Sequence, residues 1–285
     1  MDLLNQTKYF CKLCNIRPNS LLGQNFLISE NVLDSIESNI LDLNKNNISN
    51  VVEIGGGFGF LTSKLINIFS KVLVIEKDKT LYIGLEKIKN SSSPKTEIFL
   101  DDALNIYKKS YLEKKIGDYF DNQKYCFVAN IPYSITSRLI RNLLELNYKP
   151  EFLIFMVQKE VAERICAKTG SMSLLSIACQ FYADCEILFY VDKTSFYPSP
   201  KVDSAILYLK IKEMPNNIDI DNFFRVCKIG FSARRKKLIR NLINGFSKDK
   251  LYFSEIFSKM NLDENIRAQD LSIEDWIELC YNIYV

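Results

Sequence analysis

The 285-residue chain contains no histidine. That removes the commonest general base and the serine–histidine and cysteine–histidine nucleophile systems, so chemistry here must run on positioning, carboxylates, amides or a cofactor. No apolar run approaches the roughly 20 residues that span a bilayer, and no membrane partner is expected. Met1 to Cys14 lack a basic region followed by an apolar core, so no secretory signal is expected. The eight cysteines then read as reduced thiols of a cytoplasmic protein. Cys11 and Cys14 have redox or metal spacing, but no second such pair follows and histidine is missing, so no metal is expected. There is no internal repeat and no long low-complexity tract.

What is present is a regular alternation of apolar runs and helical patterns. Val51–Ile54, Val72–Ile75, Glu97–Leu100, the run from Tyr125 and Phe152–Val157 read as strands. Helical patterns near 60–69, 81–88 and 137–146 separate them, the arrangement of a parallel sheet covered by helices on both faces. After Gln158 the pattern changes to two helices and a pair of strands near the sheet edge. Beyond Ile218 only short amphipathic helices follow, near 223–230, 234–243, 253–260 and 273–284. Met214-Pro215-Asn216-Asn217 is the natural boundary, dividing the chain into domains 1–213 and 214–285.

The net charge is only +3, yet between Arg225 and Lys250 nine basic residues face one acidic residue, Asp249. Arg234, Arg235, Lys236, Lys237 and Arg240 are the densest part. A stripe of this kind is the electrostatic footprint of a polyanion, although a solvated helix face has the same composition.

Four strand ends carry chemistry. Glu53-Ile54-Gly55-Gly56-Gly57-Phe58-Gly59 joins the first strand to a helix, where glycines let backbone approach a ligand. Glu76 ends the next strand, 21 residues after Gly55, a spacing suited to a carboxylate on ribose hydroxyls. Asp101-Asp102-Ala103 follows the third strand, where an Asp could accept from an adenine amine. Asn130-Ile131-Pro132-Tyr133 ends the fourth. Asn130 and the carbonyl of Ile131 or Pro132 can accept two amine hydrogens, and Tyr133 offers a flat face for a base. The four together suit the exocyclic amine of a flipped-out adenine. A nicotinamide dinucleotide is the main competing ligand for the glycine turn, but hydride transfer leaves Asn130–Tyr133 without a task.

These residues resemble the small-subunit ribosomal RNA adenine N6-dimethyltransferases of the KsgA type. The likeness runs in order along most of the chain. Gly23–Leu27 looks like the family's cofactor-lid motif, Val52–Gly59 its first cofactor loop and Val74–Glu76 its ribose-binding strand. Asp102-Ala103 and Asn130–Tyr133 resemble its cofactor-adenine and catalytic motifs. Gln158–Arg164, Phe196–Ser204 and Phe231–Lys236 look like further signatures. Three positions depart from the pattern. Gly56 stands where proline is usual and is expected to loosen the cofactor turn; Ile131 replaces the commoner leucine and Ser134 the usual asparagine. Antibiotic-resistance methyltransferases of large-subunit RNA share the Asn-Ile-Pro-Tyr form.

The resemblance implies a Rossmann-like class I methyltransferase sheet at 1–213, with a helical lid over 1–40, and a small all-helical RNA-binding domain at 214–285. It implies dimethylation of N6 on two adjacent adenosines in the 3′-terminal hairpin of small-subunit (16S) RNA, with S-adenosylmethionine as donor and no metal. The partner would be the immature small subunit, and the enzyme a monomer acting in ribosome biogenesis. Asn25, Leu27, Gly55, Glu76, Asp102 and Asn130 would hold the donor. Asn130, Pro132, Tyr133 and Phe196 would act on the base, the two rings sandwiching it. Arg234–Lys237 and Arg240 would bind phosphates without reading sequence. A large-subunit methyltransferase, a catalytically silent assembly factor and a methyltransferase of DNA adenine or a small molecule are the alternatives.

Overall fold

The computed structural model describes residues 1–18, 24–91, 95–108, 111–215 and 218–284. Gly23 of the lid motif and Asn216-Asn217 of the expected boundary lie outside them. The chain opens with α1 (Leu3–Leu13), whose first turn is capped by the Asp2 carboxylate accepting from the Asn5 N–H at 2.7 Å. A short β1 (Phe26–Leu27) and α2 (Glu30–Leu43) follow.

The sheet is built from β2 (Asn50–Ile54), β3 (Lys71–Glu76), β4 (Lys95–Leu100), β5 (Cys126–Asn130) and β6 (Phe152–Gln158), all parallel. Between them run α3 (Phe60–Ile68), α4 (Tyr82–Ser91), α5 (Tyr111–Tyr119) and α6 (Thr136–Leu144). Every residue of β2 is buried, as a strand covered on both faces requires. The next elements are α7 (Lys159–Ile165), α8 (Leu174–Tyr182), β7 (Ala183–Val191), β8 (Phe196–Tyr197) and β9 (Ser204–Ile211). β9 lies antiparallel to β6, and the strand order is β4-β3-β2-β5-β6-β9-β7. β8 pairs with β1, setting Phe26 opposite Tyr197 and Leu27 opposite Phe196.

This order fixes the site. The chain runs outward from β2 through β3 to β4, then returns to β2's other side with β5. The switch point therefore lies between β2 and β5, where open α/β sheets bind ligands.

The remaining helices are α9 (Ile220–Gly230), α10 (Leu238–Phe246), α11 (Lys250–Lys259) and α12 (Ile273–Tyr284). The chain divides into two compact units: one of Met1–Ala162 and Cys185–Ile211, the other of Glu163–Asp184 and Lys212–Val285. The division differs from the expected cut after residue 213, because the segment holding α8 belongs with the helical unit. Aromatic packing explains the assignment: Phe181 stacks on Phe223 with ring centroids 4.2 Å apart and meets Phe224 edge-on at 5.5 Å. The Gly170 and Met172 N–H groups donate to the Gln269 carbonyl at 2.9 and 3.2 Å.

Candidate active site

A cavity of about 480 Å³ opens at the carboxyl ends of β2, β3 and β5. Its wall includes Asn25, Leu27, Gly55, Glu76, Asn130 and Pro132 from the sequence-derived set. Asp102, Tyr133 and Phe196 do not line it.

The turn after β2 forms the cradle. Gly55 and Gly57 adopt φ of +74° and +56°, the left-handed region that a side chain would strain. The Gly57 N–H donates to Glu76 at 3.0 Å, and the Asp78 N–H donates to its other oxygen at 2.8 Å. Burial pushes the Glu76 carboxyl up, against those backbone hydrogen bonds. Gly56 is different: a Cβ there would lie 2.5 Å from Val74 Cγ1 and 2.9 Å from Leu85 Cδ2. The turn is therefore packed at this position, contrary to the looseness expected of a glycine in place of proline.

Two buried acceptors in this wall have no partner: Glu53 Oε1 and Asn25 Oδ1. The other Glu53 oxygen accepts from the Thr62 hydroxyl at 2.5 Å. Burial pushes Glu53 up to about 8 against the lowering effect of Thr62, and the Glu76 charge adds to the rise. Glu53 is absent from the sequence-derived set, though a lone carboxylate inside the apolar run Val51–Ile54 was a readable signal.

Aromatic rings close another side. Phe26, Phe58 and Phe60 line the cavity. Phe58 stacks on Phe26 at 4.4 Å between centroids and on Phe10 of α1 at 5.3 Å. Cys11 packs in the same cluster. Phe26 and Phe58 lie inside the lid and cofactor-loop motifs read from the sequence, but nothing there singles out either ring, since phenylalanines spread from Phe10 to Phe60 carry no common spacing.

At the end of β5, the Asn130 Nδ2 group points to the Asn25 carbonyl at 3.5 Å, and the Ile131 N–H donates to Met156 O at 3.2 Å. The Pro132 carbonyl already accepts from the Ile135 N–H at 3.1 Å and the Thr136 hydroxyl at 3.3 Å. Both its lone pairs are thereby used, which favours the Ile131 carbonyl as partner to Asn130 Oδ1. Tyr133 is half-buried, its hydroxyl 2.7 Å from Ser204 Oγ. Burial pushes its phenol up, against the lowering effect of the Ser204 hydrogen bond.

Asp102 is engaged elsewhere. Its carboxylate bridges to Lys77 Nζ at 2.8 Å and accepts from the Leu104 N–H at 2.9 Å. Burial alone would raise it, but these bonds and the Lys77 and Arg138 charges hold it below the ordinary carboxylate range. Lys77 itself lines the cavity. Phe196 is only 3% exposed and sits in the main core with Leu27, Val128 and Met156. Its ring faces that core, the position its pairing with Leu27 imposes.

The basic set is exposed: Arg234, Arg235, Lys236, Lys237 and Arg240. Four of them precede α10 instead of lying on it, since the helix begins at Leu238 and not at Arg234. Consecutive cations are unfavourable in a first helical turn. The buried Asn241 side chain supports the turn instead, donating to the Gly230 and Ala233 carbonyls at 2.6 and 3.2 Å. Lys237 also donates to the Asn265 side chain.

Residues 15–283 match the family model of ribosomal RNA adenine dimethylases. A protein of Dehalococcoides mccartyi (strain 195) named ribosomal RNA small subunit methyltransferase A is 35% identical over 98% of this chain and 93% of its own length. The protein of the same name from Fusobacterium nucleatum is 38% identical over 90% and 94%. Among solved structures, a dimethyladenosine transferase from Plasmodium falciparum superposes with a TM-score of 0.70 at 26% identity, over 88% of this chain and 94% of that one. The 23S rRNA methyltransferase ErmE reaches the same TM-score at 22% identity, over 90% and 99%, a likeness of fold alone.

Proposed function

Because the chain belongs to the ribosomal RNA adenine dimethylase family, we propose that it dimethylates N6 of two adjacent adenosines in the 3′-terminal hairpin of small-subunit RNA. S-adenosylmethionine is the donor, supplying an electrophilic methyl group. The observation that carries the reading is the single sheet edge on which Gly55, Glu76 and Asn130 line one cavity at the switch point.

The residues present fit the donor. The Gly55 and Gly57 backbone leaves room for close approach, Glu76 stands at the ribose position, and the orphaned Asn25 Oδ1, with Glu53 Oε1 once Glu53 gives up its proton to the bound cation, matches an ammonium group. Leu27 and the Phe26–Phe58 pair supply apolar wall. Asp102 would have to share or release Lys77 to accept from the donor's adenine amine.

On the acceptor side, the N6 lone pair is delocalised into the ring. Asn130 Oδ1 and the Ile131 carbonyl, each taking one N6 hydrogen, favour a pyramidal and nucleophilic nitrogen. The proton turns acidic only after methyl transfer, so no strong base is needed, in keeping with the missing histidine. Tyr133 offers its face to the flipped base and offsets an unstacking cost of a few kcal/mol. The exposed cations before α10 hold RNA phosphates. On this reading the enzyme is a monomer that acts where ribosomes are assembled. Among the described residues no helix is long and apolar enough to cross a membrane.

With labelled donor, the protein should place dimethyladenosine on immature small subunits; label on naked large-subunit RNA and none on small subunits would overturn this reading in favour of the antibiotic-resistance type. Asn130→Ala should lower transfer by at least about a hundredfold, as expected when a group acting mainly in the transition state is lost, with a much smaller loss of donor affinity because Asn130 is one of several residues lining that cavity. Binding titrations beside single-turnover rates separate the two effects.

A further inference from the structure

We infer that Ser204 is a positioning residue for methyl transfer, fixing the ring of Tyr133 in the plane on which the target base stacks. This rests on the proposed adenine dimethylation and assigns a role to a residue buried from any ligand.

Tyr133 lies in the turn between β5 and α6, where backbone geometry alone does not determine how its ring is held. The ring is half-buried, and its hydroxyl sits 2.7 Å from Ser204 Oγ. Ser204 has no exposed surface. It opens a strand that continues Ala205-Ile206-Leu207, all buried, so an apolar side chain would satisfy the core equally well. A buried hydroxyl is costly unless bonded, and its partner here is Tyr133.

Ser204 is also a fixed point. β9 is antiparallel, so it begins at the edge where β5 and β6 end, with Ser204 opposite Gln158. The residue before it braces the corner: the Asp203 carbonyl accepts from the Lys159 N–H at 3.0 Å, and its carboxylate from the Lys193 N–H at 3.1 Å. Asn130 is registered against Met156 of the same β6. One strand therefore references both the amide that holds the amine and the hydroxyl that holds the stacking ring. Because Ser204 engages the phenol hydroxyl, Tyr133 works through its face and not as a proton acceptor.

The test compares Ser204→Ala, Tyr133→Phe, the double variant and Ser204→Thr in methyl transfer to immature small subunits, with donor affinity and melting temperature measured alongside. Ser204→Ala and Tyr133→Phe should each lower kcat about three- to tenfold, the factor for one neutral hydrogen bond. Donor affinity should not change, the double variant should be no slower than either single one, and Ser204→Thr should recover most of the rate. Losses that multiply in the double variant, a fully active Ser204→Ala, or a loss shared by donor affinity and melting temperature would each overturn the inference. Should Ser204→Ala fail to fold, Tyr133→Phe breaks the same bond from the other end, and wild-type kcat in that variant has the same consequence. A wild-type protein that methylates no small-subunit RNA would instead reject the underlying dimethylation.

Discussion

Glu53 shows how one residue can be buried in a strand with part of its carboxylate unsatisfied. It stands between Val52 and Ile54 in a fully buried strand, has 1% exposure, and leaves one carboxylate oxygen without a partner. Its pKa is pushed up to about 8 by burial, from an ordinary value of 4.5. Between those values the folded chain holds a proton that the unfolded chain has released. Stability must then fall as pH rises through this window, by up to roughly 1.4 kcal/mol per pH unit. Glu53→Gln removes the titration and should be less pH-sensitive, with its advantage over wild type growing from pH 5.5 to 7.5. Urea unfolding at three pH values measures the slopes; an unchanged slope in Glu53→Gln would show that another group sets the dependence. The same residue illustrates what a sequence discloses. A carboxylate in an apolar strand is visible in one dimension, but its unsatisfied oxygen is a property of neighbours that only folding assembles.

Among elements, the β2–α3 turn was legible because glycine spacing is local, and the strand ends Glu76 and Asn130 followed from the alternation of runs. The packing of that turn was not legible. Gly56 reads in sequence as slack, yet Val74 of β3 and Leu85 of α4 occupy the space a side chain would need. Its φ lies outside the left-handed region, so the obstacle is contact and not backbone strain. Gly56→Ala is expected to cost about 1–3 kcal/mol, the range for overpacking. Leu85→Ala in the same chain should recover part of that by vacating one colliding methyl. Denaturation midpoints of the two single variants and the double one check the coupling; strictly additive losses would mean that Leu85 is not the obstacle. Phe196 and Asp102 follow the same logic. Their motifs are readable along the chain, whereas the β1–β8 pairing and the Lys77 bridge that engage them join distant segments.

At the scale of the whole molecule, sequence placed a helical tail after residue 213 because strand-like runs stop there. It could not show that Glu163–Asp184 joins the same unit, since that depends on rings about forty residues apart. Phe181 and Tyr182 are buried at 1% and 3% exposure, with Phe223 and Phe224 of α9 against them. A fragment ending at residue 213 would keep α8 and lose α9, uncovering both rings. Each aromatic side chain buries about 150–250 Å², so together they approach the largest apolar patch a soluble monomer usually shows, about 300–600 Å². The fragment should bind an apolar dye and self-associate in size-exclusion chromatography, and Phe181→Ser with Tyr182→Ser should suppress both. A monomeric, dye-silent 1–213 fragment would mean that α8 does not depend on the helices after Lys212, and that the boundary lies where the composition changes. Gly170 and Met172 add a polar reason for the expected outcome, because losing the Gln269 carbonyl leaves two N–H groups of that segment without their acceptor.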